Sequence, residues 1–296
     1  MNKLLDKCML CPRECGVNRN KGELGFCRAE NKLKIAKAYL HMWEEPPITG
    51  KNGSGTIFFS NCNLRCLFCQ NYYISEEGNG AEISIERFSE ICLGLQKEGA
   101  TNINLVTPTH YIPLIIDGLK LAKSRGLTIP IVYNGSGYDK KETIKLLDGI
   151  VDIYLPDFKY YNDGLASKYS YCNNYFKYAC ESLEEMVRQK PKCIFDEHGN
   201  MTSGVIVRHL LVPEMEDDSK RILKYLYETY GNNIYISIMN QYTPVRTCKY
   251  KELNNTVSDD TYNDIIDYAW NLGIRNAFIQ EGGTQSESFI PKWDFK

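Results

Sequence analysis

No stretch of this 296-residue chain approaches the roughly 18 consecutive apolar residues that a membrane-spanning helix requires. A helical membrane span is therefore not expected. The opening residues, MNKLLDKCML, lack the long apolar core and cleavage site of a secretory signal, so the expected compartment is the cytoplasm. An excess of one charge sign is also missing: 35 Lys+Arg face 37 Asp+Glu, a formal net charge of −2. Without a basic surplus, nucleic acid is not an expected partner. No internal repeat or low-complexity tract is visible. At 43% hydrophobic and 24% charged, the composition is that of an ordinary globular protein. The length suits one large domain, or one domain with a small appendage.

What the chain has in plenty is cysteine, 12 in all. An extracellular disulfide protein would pair such a count with a signal peptide and a small, loop-rich fold, and neither is seen. In a reducing compartment, clustered cysteines point to metal or iron–sulfur ligation, and scattered ones to packing. Seven are clustered: Cys8, Cys11, Cys15 and Cys27, then Cys62, Cys66 and Cys69. The other five (Cys92, Cys172, Cys180, Cys193 and Cys248) stand alone and read as packing residues.

From about residue 56 the chain alternates short apolar runs with longer amphipathic stretches. The runs at 56–60, 103–106, 129–133, 151–155, 205–212 and 234–239 are rich in Val, Ile, Tyr or Phe and too short for buried helices. Helical patterns cover 84–98, 111–125, 140–147, 175–190, 217–230 and 258–272. Six β-then-α units argue for an α/β fold with a parallel sheet and helices outside it. An eight-fold barrel takes about 250 residues, so the 200-odd available suit a six-unit partial barrel. This core is expected over 56–296. Residues 1–55 differ: they are rich in Gly, Lys, Asn and Cys, with one strand-like stretch at 33–40. So short a segment has little core of its own, and a metal staple would compensate.

Cys62-Asn-Leu-Arg-Cys66-Leu-Phe-Cys69 brings three thiols onto the loop that ends the first strand. Three thiolates on a four-iron cluster would leave one iron open to another ligand. The competing reading is a zinc knuckle that borrows a distant fourth ligand, although paired C-x2-C spacing dominates such sites. The run CNLRCLFCQN closing a first βα unit resembles the cluster-binding motif of radical S-adenosylmethionine (SAM) enzymes, C-x3-C-x-aromatic-C, with Phe68 at the aromatic position. The resemblance implies a partial (β/α)6 barrel. It implies that Cys62, Cys66 and Cys69 hold a [4Fe-4S] cluster whose open iron binds SAM. It further implies reductive cleavage of SAM to a 5′-deoxyadenosyl radical that abstracts hydrogen from a substrate.

Gly53-Ser54-Gly55 before the strand, Asn71 after Cys69-Gln70, and Asp157-Phe158-Lys159 narrow the likeness to activating enzymes of glycyl-radical enzymes, such as pyruvate formate-lyase activating enzyme. In that group the Asp-x-Lys segment contacts SAM, which carries over to Asp157 and Lys159. A lysine at a strand's C-terminal mouth also suits a carboxylate ligand on physical grounds. The Gly-Gly-Glu that holds the SAM amino group in the family is absent. In its place stand Asn104, Thr107 and Thr109, polar but uncharged. The extra cysteines precede the triplet here instead of following it. The likeness spans nearly the whole chain and leaves the substrate open. It implies a glycyl-radical enzyme or other protein as partner, and a flavodoxin- or ferredoxin-type electron donor.

Other polar residues fall at or near strand ends: Asn134, Ser136, Arg208, His209 and Gln241. Gln241 joins Phe68 among the expected cofactor contacts. Adjacent strand residues face opposite ways, so only one of Arg208 and His209 faces inward. Arg208 is the expected carboxylate partner, with a buried structural ion pair as the alternative. His110 is a weaker candidate for proton transfer. His41, Glu44 and Glu45 precede the barrel and read first as a solvated loop. Cys8, Cys11, Cys15 and Cys27 supply four thiolates, enough to close either a zinc site or a second [4Fe-4S] cluster. The function expected is hydrogen abstraction from a protein or peptide. Modification of a small metabolite and a non-enzymatic iron–sulfur electron carrier are the alternatives.

Overall fold

Parallel strands are covered on both faces, so short runs rich in Val, Ile, Phe and Tyr settle into them, with polar members such as Thr56 and Asn104 buried in hydrogen bonds. The computed structural model describes residues 2–280 and Trp293. Its strands are β1 (Leu33–His41), β2 (Ser54–Phe59), β3 (Ala81–Ile83), β4 (Ile103–Val106), β5 (Ile131–Asn134), β6 (Ile153–Tyr154), β7 (Ile194–Phe195), β8 (Met201–Leu210), β9 (Tyr235–Met239) and β10 (Ala277–Ile279). Its α-helices are α1 (Pro46–Thr49), α2 (Tyr72–Ser75), α3 (Ile85–Lys97), α4 (Ile112–Ser124), α5 (Lys141–Lys145), α6 (Asp163–Ser170), α7 (Tyr175–Gln189), α8 (Glu216–Tyr230) and α9 (Asp259–Leu272).

The sheet runs β10-β9-β8-β6-β5-β4-β2-β1-β3, with β7 attached to β8. Every pairing from β2 to β10 along that path is parallel. β1 lies antiparallel on β2, and β3 antiparallel on β1. This is an α/β fold with a mostly parallel sheet, as in a partial barrel. The six expected strands and six expected helices are all present.

Six of these elements were not expected from the sequence: α1, α2, β3, α6, β7 and β10. β10 has only three residues, too few to show a period. α6 is short and polar, and its start is set by Asn162, whose side chain accepts from Gly164 N. The last part of the expected core, 281–292 and 294–296, lies outside the described residues.

Residues of the Cys-rich segment share the barrel's core. Leu5, Leu10, Ala29 and Leu33 belong to the same apolar cluster as Ile103, Leu105 and Ile131. Thr143 Oγ1 donates to Leu10 O at 2.7 Å, and Arg19 Nη1 donates to His110 O at 2.6 Å. Between α3 and α4, a side chain at Gly118 would collide with the Phe88 ring, so this glycine sets the helix spacing. Among the described residues, no helix is long and apolar enough to cross a membrane.

Candidate functional site

In barrels of parallel strands the chemistry gathers at the C-terminal strand ends, where the βα loops converge. Here those ends enclose a cavity of about 220 Å³. The loop after β2 brings Cys62, Cys66, Phe68 and Cys69 to it, Thr107 follows β4, Asn134 ends β5 and Ser136 follows it. Asp157 and Lys159 follow β6, Arg208 comes from β8 and Gln241 follows β9. A larger hollow, about 910 Å³, opens at the opposite strand ends beside Pro46, Gly99, Pro130 and Asn200. It holds no cysteine and no buried ion pair, so size is a poor guide to chemistry here.

The triplet loop is held by contacts from several elements. Asn63 Nδ2 donates to Tyr138 O at 2.6 Å, Arg13 Nε to Asn63 O at 3.0 Å, and Leu67 N to Tyr169 O at 2.8 Å. Asn61 enters the loop in the left-handed region, at φ 71°. Donors already aim at the sulfurs: Leu64 N at Cys62 Sγ (3.3 Å) and Ser170 Oγ at Cys66 Sγ (2.9 Å). Ser75 Oγ lies 3.3 Å from Cys69 Sγ. Burial pushes the thiols of Cys62 and Cys66 up, outweighing the nearby Lys159 charge that favours their thiolates. Three sulfurs on one cavity wall, with donors aimed at two of them, fit an iron–sulfur cluster.

Opposite the thiols lies an ionic network. Lys159 Nζ donates to Asp157 Oδ2 at 2.7 Å, and Arg208 Nη2 sits 2.9 Å from Asp157 Oδ1. Arg208 also donates to Asn134 Oδ1 (2.7 Å) and to Glu44 Oε2 (3.4 Å). Burial works to raise the Asp157 carboxyl, but Lys159 and Arg208 outweigh it and hold the group below its ordinary value. Burial likewise opposes the Lys159 charge, and Asp157 and Cys66 together still raise its pKa. The influence of Cys66 puts Lys159 within electrostatic reach of the triplet. The backbone is locked from beneath: Tyr175 Oη accepts from Lys159 N at 2.9 Å and donates to Ser136 O at 2.9 Å. His209 faces the other way, as strand alternation requires, with Nδ1 2.8 Å from Phe158 O and Nε2 2.9 Å from Ser219 Oγ.

Several expected residues lie elsewhere. Asn104 is fully buried and donates to Glu44 Oε1 at 2.9 Å, so a carboxylate from ahead of the barrel already occupies it. Thr109 is turned beneath the cavity, where its hydroxyl meets Asp139 Oδ1 (2.7 Å) and Tyr133 Oη (3.0 Å). Burial pushes Asp139 up to about 6. His110 is 2% exposed, with Nε2 2.9 Å from Ser60 O. It lines the cavity of the cysteine quartet and not the barrel mouth. Of the three residues that replace the Gly-Gly-Glu segment and its neighbour, only Thr107 lines the cavity, with φ 59°.

Glu44 and Glu45 depart from the solvated reading. Glu45 is buried and the Glu44 side chain is only 7% exposed, and burial raises both carboxyls against the pull of Arg208. Pro46-Pro47, which starts α1, folds this short segment under the sheet. The acidic pair looked like a loop because its partners come from distant strands. His41, also buried on the cavity wall, is lowered to about 4, first by burial and then by Arg208.

The quartet Cys8, Cys11, Cys15 and Cys27 lines a second, small cavity together with Arg13, Arg19 and His110. Among the described residues, no three Cys, His, Asp or Glu side chains converge at the spacing of a single metal ion.

Residues 56–226 match the family model described as Radical SAM superfamily. An uncharacterized protein of Methanocaldococcus jannaschii is 30% identical over 273 residues, 88% of this chain and 73% of its own length. The pyruvate formate-lyase-activating enzyme of Clostridium pasteurianum is 26% identical over 195 residues, 62% of this chain and 73% of its own. The FeFe-hydrogenase maturase HydG from Carboxydothermus hydrogenoformans superposes with a TM-score of 0.51 at 14% identity, covering 74% of this chain. That likeness is one of fold, and the matched part is 50% of the maturase chain.

Proposed function

The chain belongs to the radical SAM superfamily, and from that membership we propose that it abstracts hydrogen from a protein or peptide substrate, as a glycyl-radical activating enzyme does. The family implies a [4Fe-4S] cluster and SAM. Cys62, Cys66 and Cys69 would hold the cluster. Bound there, it supplies one electron to SAM, whose cleavage yields a 5′-deoxyadenosyl radical.

The observation that carries this reading is the placement of Lys159, Asp157 and Arg208 across one cavity from the three thiols. Lys159 and Arg208 present two cations to a carboxylate ligand, while Asp157 fixes both in position and faces a ligand's ammonium group. Phe68 and Gln241 close the wall beside the triplet. Burial keeps water from competing for these charges. The relative from Clostridium pasteurianum supports the choice of a protein substrate. A low-potential donor of the flavodoxin or ferredoxin type would supply the electron, and the cysteine quartet forms a second metal site.

Anaerobically loaded, reduced protein mixed with SAM should release 5′-deoxyadenosine and methionine, and a Cys62→Ala, Cys66→Ala, Cys69→Ala variant should release neither. Full iron loading with no cleavage in the wild type would end the proposal. An activase leaves a glycine-centred radical signal on its partner, whereas a metabolite enzyme consumes a diffusible compound.

A further inference from the structure

We propose that Phe26 is a positioning residue for the thiol triplet. Its ring and backbone clamp the loop of Cys62, Cys66 and Cys69 to the segment that carries the cysteine quartet. This rests on the reading of the triplet as the SAM-binding cluster site, whatever metal the quartet takes.

Phe26 stands between the two loops, and each of its parts is engaged. Its N–H donates to Cys15 Sγ at 3.4 Å, which anchors it in the quartet segment. Its carbonyl accepts from Arg65 Nη2 at 2.9 Å, and Arg65 lies inside the triplet loop, one residue before Cys66. Its ring carries two guanidiniums, Arg13 centred 3.6 Å and Arg65 4.6 Å from the centroid. Gly25 leaves room for this approach, because a Cβ there would come within 2.9 Å of Cys15 Sγ.

Arg13 completes the clamp. It sits between Cys11 and Cys15, and its Nε donates at 3.0 Å to the carbonyl of Asn63, one residue after Cys62. Three residues separate Cys62 from Cys66, and two of them are gripped from the quartet segment, Asn63 by Arg13 and Arg65 by Phe26. Those residues set how Cys62 and Cys66 stand to each other. The grip therefore acts on two of the three cluster ligands.

Packing alone would be served by any apolar side chain of similar bulk. Two cations on one ring ask for a π face, and such contacts strengthen where water is partly excluded. Phe26, Arg13 and Arg65 are all half-buried. Phe26 also lies outside the apolar core, so its removal should leave the fold standing.

Three variants separate the clamp from bulk. Phe26→Ala removes the ring, Phe26→Leu keeps apolar volume without a π face, and Phe26→Tyr keeps the ring. Two measurements are made on anaerobically purified, cluster-loaded protein. The first is the rate of trypsin cleavage after Arg65, read from fragment masses, because the clamp hides this side chain from the protease. The second is SAM affinity, read by the change in the cluster spectrum. Phe26→Ala and Phe26→Leu should be cut about 10-fold faster after Arg65 and bind SAM about 10-fold more weakly. Phe26→Tyr should restore wild-type values in both. Unchanged cleavage in Phe26→Ala, or a Phe26→Leu variant that behaves as wild type, would overturn the clamp. Faster cleavage with unchanged SAM affinity would overturn the positioning role. A wild type that holds iron and ignores SAM ends the reaction proposed above, while the cleavage rates still uphold or overturn the clamp.

Discussion

Glu44 and Arg208 stand 164 residues apart in the chain and 3.4 Å apart in space, Glu44 Oε2 accepting from Arg208 Nη1. Asn104 Nδ2 takes the other carboxylate oxygen at 2.9 Å. The segment ahead of the barrel thereby supplies a buried anion to the cavity floor. It is a carboxylate in a chain that lacks one at the usual place after the second barrel strand.

Removing Glu44 should leave Asn104 Nδ2 without its acceptor and Arg208 with one counterion fewer. Glu44→Ala is expected to destabilise the fold by about 3 kcal/mol, because Arg208 keeps its charge and loses a counterion. Glu44→Gln keeps an acceptor and a donor in place and should cost less. Denaturant midpoints of the two variants check this; an unshifted Glu44→Ala midpoint would show the pair to be idle.

Lys159→Met should weaken SAM binding roughly 10- to 100-fold, as expected for loss of one charge-assisted bond. Iron content should stay at the wild-type level, because Lys159 touches Asp157 and ligates nothing. Titration of anaerobic, cluster-loaded protein with SAM, read by the change in the cluster spectrum, gives the affinity. Unchanged affinity would remove Lys159 from the site.

Gly137 lies at φ +76°, and a side chain there would overlap Asp157 O and come within 2.7 Å of Tyr175 Oη. Gly137→Ala must move the backbone that aims Asp157 and Lys159. Both stability, by about 2 kcal/mol, and SAM affinity should fall. A variant with normal affinity would show that the segment is positioned without this contact.

Acid should weaken the fold through His209. Burial lowers its pKa from 6.5 to about 4, so the folded protein resists the proton that the unfolded chain accepts. The stability it contributes is present above pH 6.5 and is lost as pH falls toward 4, on the order of 3 kcal/mol. Asp139 acts in the opposite sense: raised to about 6, it favours the fold at low pH and loses that contribution as pH rises through 6. Asp139→Asn should therefore steepen the net acid loss, and His209→Gln should flatten it. Thermal melts between pH 4 and 7 would show the reverse order if the signs are wrong.

Local pattern carried the fold a long way. Each strand from β2 to β9 on the parallel path begins within a few residues of an apolar run, because strands covered on both faces bury most of their side chains. α6 and β10 escaped, the one for its polarity and the other for its brevity. The three thiols of Cys62, Cys66 and Cys69 were equally legible, since eight residues of loop keep them together whatever the rest of the chain does.

Side-chain direction was not legible. Asn104, Thr109 and His110 sit in one β-to-helix stretch, yet they serve Glu44, Asp139 and the quartet cavity respectively. Which way each points depends on the pleat of β4 and on strands and segments far away in sequence. The sequence by itself determined the alternation of strands and helices and the thiol triplet, because these depend on spacing between near neighbours. Only the tertiary structure decided that Glu44 is buried against Arg208 and that Arg13 and Arg19 meet at the quartet. Such contacts join residues whose separation along the chain carries no periodic signal.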